Sequence, residues 1–185
     1  MQLKVVKSDR KTEDYFHTKV LCTFSNALAL IDQSNVFAAE QFAEAITFYL
    51  YQKRSLLTIT SEEIHLMVQA VLNSTGYENA AKALNDFHLN RKIKRSRIEV
   101  IGNDYNYLLD FDFEISLWNK SIIVDDLVKK DGLGRPVARA IASAVEEKVL
   151  NIGITKIKKS LVEQLVLSDT DMMLRAQEQL EPATV

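Results

Sequence analysis

The stretch VVKSDRKTEDYFHTKVL, residues 5–21, sets a polar centre between two β-rich edges and then begins an apolar helical run. QLKVVKS and EDYF carry β-branched and aromatic residues on either side of SDRKT, which reads as a β-hairpin closed by a loop of a few residues. From His17 to Ile31 the residues Val20, Leu21, Phe24, Leu28 and Ile31 recur at three- and four-residue steps, the period of an amphipathic helix. A hairpin feeding a helix points to the α+β class. Lys7 closes the first strand, and Lys19 stands on the first turn of the helix. There, unpaired backbone amides and the helix dipole favour an anion such as phosphate. The alternative is a pair of solvated surface lysines.

Working outward, residues 36–52 set Phe37, Ala38, Phe42, Ala45, Ile46 and Leu50 on a broad apolar face, which predicts a second, more buried helix. The short run SLLTIT, residues 55–60, reads as a strand running straight into SEEIHLMVQAVL. Thr60 or Ser61 can cap that helix, and Glu62 and Glu63 suit its first turn. Gly76 supplies a stop, and residues 77–95 read as a fourth helix with a basic end. Residues 1–95 thus form one expected unit.

The second half repeats the plan. Residues 96–118 hold two β-rich runs around a GNDYN turn, residues 119–130 and 133–150 read as helices, and Gly153 precedes ITKI and further helix. The tail EPATV reads as frayed. Both halves follow the order hairpin, helix, helix, short strand, helix, helix, so the chain is read as a degenerate tandem repeat. Glu13 and Lys19 are echoed by Glu114 and Lys120. ITSEEIHLMVQAVL is echoed by ITKIKKSLVEQLVL, which puts Ser160 near the place of His65. Residues 96–185 are expected to form a degenerate, cone-like helical domain for packing or association, with the apolar PVARAIASAV face as core or as a self-association surface.

At 185 residues, 47% of them hydrophobic, the chain can bury its own core without a metal or disulfide. A formal net charge of -2 argues against wholesale nucleic-acid coating, so any anion site is local. The single cysteine, Cys22, excludes an intramolecular disulfide or zinc ribbon and reads as a small buried apolar residue. No apolar run approaches the roughly 18 residues of a membrane span, and MQLKVVKSDRK lacks the apolar core of a signal peptide. A reducing cytoplasm is the expected location.

Val5, Lys7, Asp9, Glu13, Tyr15, Lys19 and Val20 make up the pattern V-x-K-x-D followed by E-x-[aromatic]-x-x-x-K-[aliphatic]. Together with ITSEEIHLMVQAVL and YENAAKALNDFHLNRK, this ordered set resembles the ATP-cone family over nearly all of residues 2–95. The resemblance implies a small β-sheet capping a four-helix bundle that binds ATP or dATP, with or without Mg2+, without hydrolysing it. It also implies a nucleotide-dependent change of oligomeric state, on ribonucleotide reductases, on the repressor of their genes, or on other proteins. By that resemblance Lys7, Lys19 and Arg91 meet phosphates, Glu13 and Val20 border the adenine, and Thr60 or Ser61 and His65 contact phosphate or ribose. His88 and Arg91, at i and i+3, share a face of the fourth helix. The chain departs from the family at Phe16, where a polar residue is common. It departs also at Arg10-Lys11, in place of an Asp-Gly turn, and at Arg91, where lysine is frequent. Phe16 either stacks on the adenine or enters the core. His17 reads as a surface residue.

The basic run RKIKRSR, residues 91–97, is a helix end favoured by the dipole, or else a phosphate or DNA contact. There is no P-loop, no HExxH and no Cys-His pair, and Asp110 and Asp112 read as strand residues that could alternatively hold a metal. The expected protein is therefore not an enzyme but a regulatory adenine-nucleotide-binding homo-oligomer acting on a reductase or another partner. The alternatives are a cone scaffold that has lost nucleotide binding, or a DNA-binding regulator.

Overall fold

The computed structural model describes residues 3–8, 10–52, 58–102 and 115–180. Among the described residues the chain is mostly helical with two small three-stranded sheets, and it divides into two compact units, Met1–Leu89 and Asn90–Val185. Asp9, Asp110, Asp112, Glu114, the GNDYN turn, the first half of SLLTIT and the EPATV tail lie outside the described residues.

In the first unit β1 (Lys4–Val6) is the central strand of a sheet ordered β2-β1-β3. β2 (Thr12–Asp14) pairs antiparallel with β1, and β3 (Thr58–Thr60) pairs parallel, so that Val5 faces both Glu13 and Ile59. The hairpin turns through Arg10, whose φ of 63° lies in the left-handed region that glycine occupies more cheaply. Two helices follow, α1 (His17–Ala29) and α2 (Val36–Gln52). They meet along Val20, Phe24, Ala27 and Leu28 on one side and Ala39, Ala43, Ile46 and Leu50 on the other. Alanines at this seam let the backbones approach, and Phe42 fills its edge against Phe24 and Tyr77.

β3 runs directly into α3 (Ser61–Ser74). Thr60 caps it, accepting the Glu63 amide at 3.1 Å, while the Glu63 carboxylate reaches back to the Thr60 amide at 2.8 Å. Gly76, at φ 84°, turns the chain from α3 into α4 (Glu78–Ser96).

Two readings of this region are corrected. Phe37 is 68% exposed, because it falls opposite the Ala39–Ala43–Ile46–Leu50 stripe. Cys22 is exposed rather than buried, since the buried positions of α1 lie on the other side of the helix.

The second unit repeats the topology, with β4 (Glu99–Ile101) central in the order β5-β4-β6. β5 (Ile115–Leu117) is antiparallel to it and β6 (Lys156–Lys158) parallel, placing Val100 opposite Ser116 and Ile157. Between them lie α5 (Lys120–Lys129) and α6 (Arg135–Ile152), packed through Ile123, Val124 and Leu127 against Ala138, Ile141, Ala142, Val145 and Val149. Gly153, at φ 75°, ends α6.

After β6 comes one helix, α7 (Lys159–Leu180), where the repeat led us to expect two. The sequence 159–180 has no glycine equivalent to Gly76 to interrupt it.

The ladders also reset the alignment of the halves. Ser116, not Glu114, faces Val100 as Glu13 faces Val5, and Lys120 opens its helix as His17 does, so Lys120 is not the counterpart of Lys19. With Ile157 in the place of Ile59, the counterpart of His65 is Glu163, not Ser160.

Candidate functional site

The carboxyl ends of the parallel strands β1 and β3 lie side by side, with Val6 opposite Thr60. Lys7 follows one strand and the first turn of α3 follows the other. On the face shared with the core residues Val5 and Ile59, Glu13 projects inward from the sheet edge, its side chain only 8% exposed. Two lysines neutralise it. Lys19 Nζ lies 2.7 Å from one carboxylate oxygen and Lys7 Nζ 3.4 Å from the other. Two ammonium groups on one carboxylate make a net positive trio in which Glu13 holds the lysines in place. Lys19 also lies 5.3 Å from the centroid of the Phe16 ring.

Phe16, 44% exposed, is the N-cap residue of α1 and provides no side-chain cap, so the positive end of that helix is not quenched by a capping oxygen. At α3 the opposite holds. The Thr60–Glu63 box occupies the helix start with a carboxylate, and both Thr60 and Ser61 are exposed beside it.

One turn into α3, the His65 ring stacks on His88 of α4 with centroids 4.4 Å apart and planes inclined by 27°. Gln69 Nε2 lies 3.2 Å from His65 Nε2 and donates to Asn85 at 3.1 Å, tying α3 and α4 across the same face. Burial pushes the His65 pKa down, and the neighbouring His88 adds to the effect. Val20, expected beside an adenine, is a core residue only 3% exposed.

Arg91 belongs to the second unit. There its guanidinium donates to Glu146 at 2.8 Å and to Glu147 at 2.7 Å. Glu146 is fully buried on α6 and is also bound by Arg95 through two bonds of 2.8 and 2.7 Å, by Trp118 Nε1 at 3.2 Å and by Lys120 Nζ at 3.2 Å. Burial alone would raise its pKa. The Arg95 hydrogen bonds, the Lys120 charge and the Trp118 N–H outweigh that and hold it at about 2. Two members of the RKIKRSR run are thus engaged with a carboxylate of their own chain.

The first unit has a hydroxyl where the second has Glu146. Aligned through their buried stripes, Ala43 and Ile46 match Ala142 and Val145, and so Thr47 matches Glu146. Tyr15 and His17 stand in the places of Trp118 and Lys120. Thr47 Oγ1 donates its one proton to the Ala43 carbonyl at 2.8 Å. It therefore accepts from Tyr15 Oη at 2.7 Å and from His17 Nδ1 at 2.9 Å, which fixes the His17 tautomer. His17 is thus a half-buried, hydrogen-bonded residue rather than a solvated one.

Neither cluster was anticipated from sequence. The available signal was a lone glutamate inside the apolar period of α6, a position that demands a partner. Among the described residues no helix is long and apolar enough to cross a membrane. No protein-family model matches the chain, and no curated protein matches it.

Proposed function

We propose that the first unit is a regulatory nucleotide-binding domain of the ATP-cone type, taking ATP or dATP without hydrolysis. The observation that carries this reading is the convergence of Lys7 and Lys19 on the nearly buried Glu13, beside the uncapped start of α1. Lysines held on a rigid anchor lose little freedom when they meet a polyphosphate, and the helix end adds directed N–H donors. The His65–His88 pair offers a second set of donors once protonated, and an anion beside it would favour that protonation. Binding would shift the balance between association states of this chain or of a partner such as a ribonucleotide reductase.

Calorimetry with ATP, dATP, ADP and GTP, with and without magnesium, tests the proposal. An adenine nucleotide should bind, and Lys7→Ala and Lys19→Ala should each weaken it by about tenfold or more, the loss of one charge-assisted contact. No heat and no thermal shift with any adenine nucleotide would sink the idea.

One observation favours a second reading, a cone-like scaffold that binds partners but no nucleotide. Arg91, the third cation the family resemblance assigned to phosphate, is held by Glu146 and Glu147. The same experiment separates the two readings.

A further inference from the structure

In the second unit α7 holds the place that α3 holds in the first. Each follows the parallel strand of its sheet, and with Ile157 in the place of Ile59 the residues correspond at a constant step: Val166 to Val68, Asp169 to Val71 and Thr170 to Leu72. Compared position by position, the seam of α7 is the weaker one. Val68 and Leu72 are fully buried, whereas Val166 and Thr170 are half-buried, and Thr170 turns its hydroxyl back to the Val166 carbonyl of its own helix at 2.8 Å. α3 packs on both α1 and α2 and is tied to α4 through His65 with His88 and Gln69 with Asn85. α7 packs chiefly on α6. Its Glu163 and Leu167, in the places of His65 and Gln69, are exposed, as is every residue from Leu174 to Gln179.

Within this seam lies Asp169, only 5% exposed, where the first unit has a valine. One of its carboxylate oxygens takes the Lys148 ammonium from α6, a lysine whose side chain is 42% open to water. The other oxygen, Oδ2, is buried with no hydrogen-bond partner among the described residues. Burying a valine favours docking, but burying an acid with one unanswered oxygen removes water that nothing replaces. Moving α7 off α6 returns both oxygens and the ammonium to water. Docking is thus opposed at Asp169, at the point where α3 carries a valine.

We propose that α7 is a detachable arm, which leaves α6 and returns to it while α5 and α6 stay folded. β6 and the buried Val162 anchor its start, and the rest of the helix, with few buried apolar contacts and one unsatisfied acid, opens as a unit. Asp169 keeps the arm releasable. The device lies wholly in the second unit and does not rest on the nucleotide site proposed for the first.

Native-state hydrogen exchange of the full chain, read by nuclear magnetic resonance at rising sub-denaturing urea, tests it. The amides of Val166, Thr170 and Met173 should exchange through an opening at least about tenfold more populated than the one that exposes Ile141 and Val145. Asp169→Val should reduce that opening by about tenfold or more, bringing α7 towards the protection of α6. Lys148→Ala, which leaves the carboxylate buried without its cation, should raise it. Each variant is scored on the difference between α7 and α6 within one molecule, so a general change of stability does not imitate the result. If Lys148→Ala does not fold, Asp169→Val carries the test alone. Exchange of α7 and α6 together in the unaltered chain, or a difference between them that Asp169→Val leaves unchanged, overturns the proposal.

Discussion

Glu146 shows what one side chain can hold together. A carboxylate with no solvent contact, bound by two guanidinium groups, an ammonium and an indole N–H, joins α4, α5, α6 and the residue after β5. Such a group is weak evidence of net stability, but removing it strands Arg95 and Lys120, while Arg91 keeps Glu147. Glu146→Ala should therefore lower the unfolding free energy by about 3–5 kcal/mol, measured by chemical denaturation. Acid should act through the same residue. The folded pKa of about 2 lies below the ordinary value of 4.5, so the stabilisation is complete above 4.5 and lost as pH falls from there towards 2. A Glu146→Gln variant should show a flatter acid-denaturation profile over that window; an unchanged profile would mean that other carboxylates govern it. Its partners were illegible in sequence because they stand 26 to 55 residues away. Thr60 was legible, because its capping partner Glu63 is three residues on and the chemistry is local.

Among the elements, α3 and α4 are joined by the stacked His65 and His88 and by Gln69 with Asn85. Burial depresses the His65 pKa below its ordinary 6.5. A base with a lowered folded pKa adds stability above its unfolded value and loses it as pH falls through the folded one, so the joint should weaken progressively below pH 6.5. Nuclear magnetic resonance titration of the two imidazoles should show His65 titrating below a free histidine. His65→Gln should remove the pH dependence of the α3–α4 contacts, and a His65 titrating at or above 6.5 would refute the account. At this scale the sequence was highly informative. The bounds of α2 and the stop at Gly76 follow from period and punctuation alone. The faces were harder: Phe37 and Cys22 are apolar residues that the seam between α1 and α2 does not need. Hydrophobicity places a residue on a helix but does not choose among several apolar faces.

In the whole molecule, two units share one topology while differing in what fills the place between the first and second helices. One holds a hydrogen-bonded Tyr15–Thr47–His17 triad, the other a carboxylate among cations. That order of elements could be read from sequence as far as β6, after which one helix stands where two were expected, but its register could not. The two ITS/ITK segments look alike three residues out of step with the ladders, because a short strand is aligned by its partners across the sheet.

The central strand of each sheet also governs how the chain reaches its native state. Val5 finds Glu13 by closing a short loop, but finds Ile59 only after α1 and α2 have brought the chain back. Closing such a long loop before any contact rewards it is slow. Hairpin and helices should therefore form early, with β3 and β6 the last strands to lock in. Pulse-labelling hydrogen exchange during refolding should show the amides of Ile59 and Ile157 gaining protection after those of Phe24 and Ile141, and the reverse order would rule this sequence of events out. A three-residue strand that closes last makes each sheet a latch rather than a nucleus.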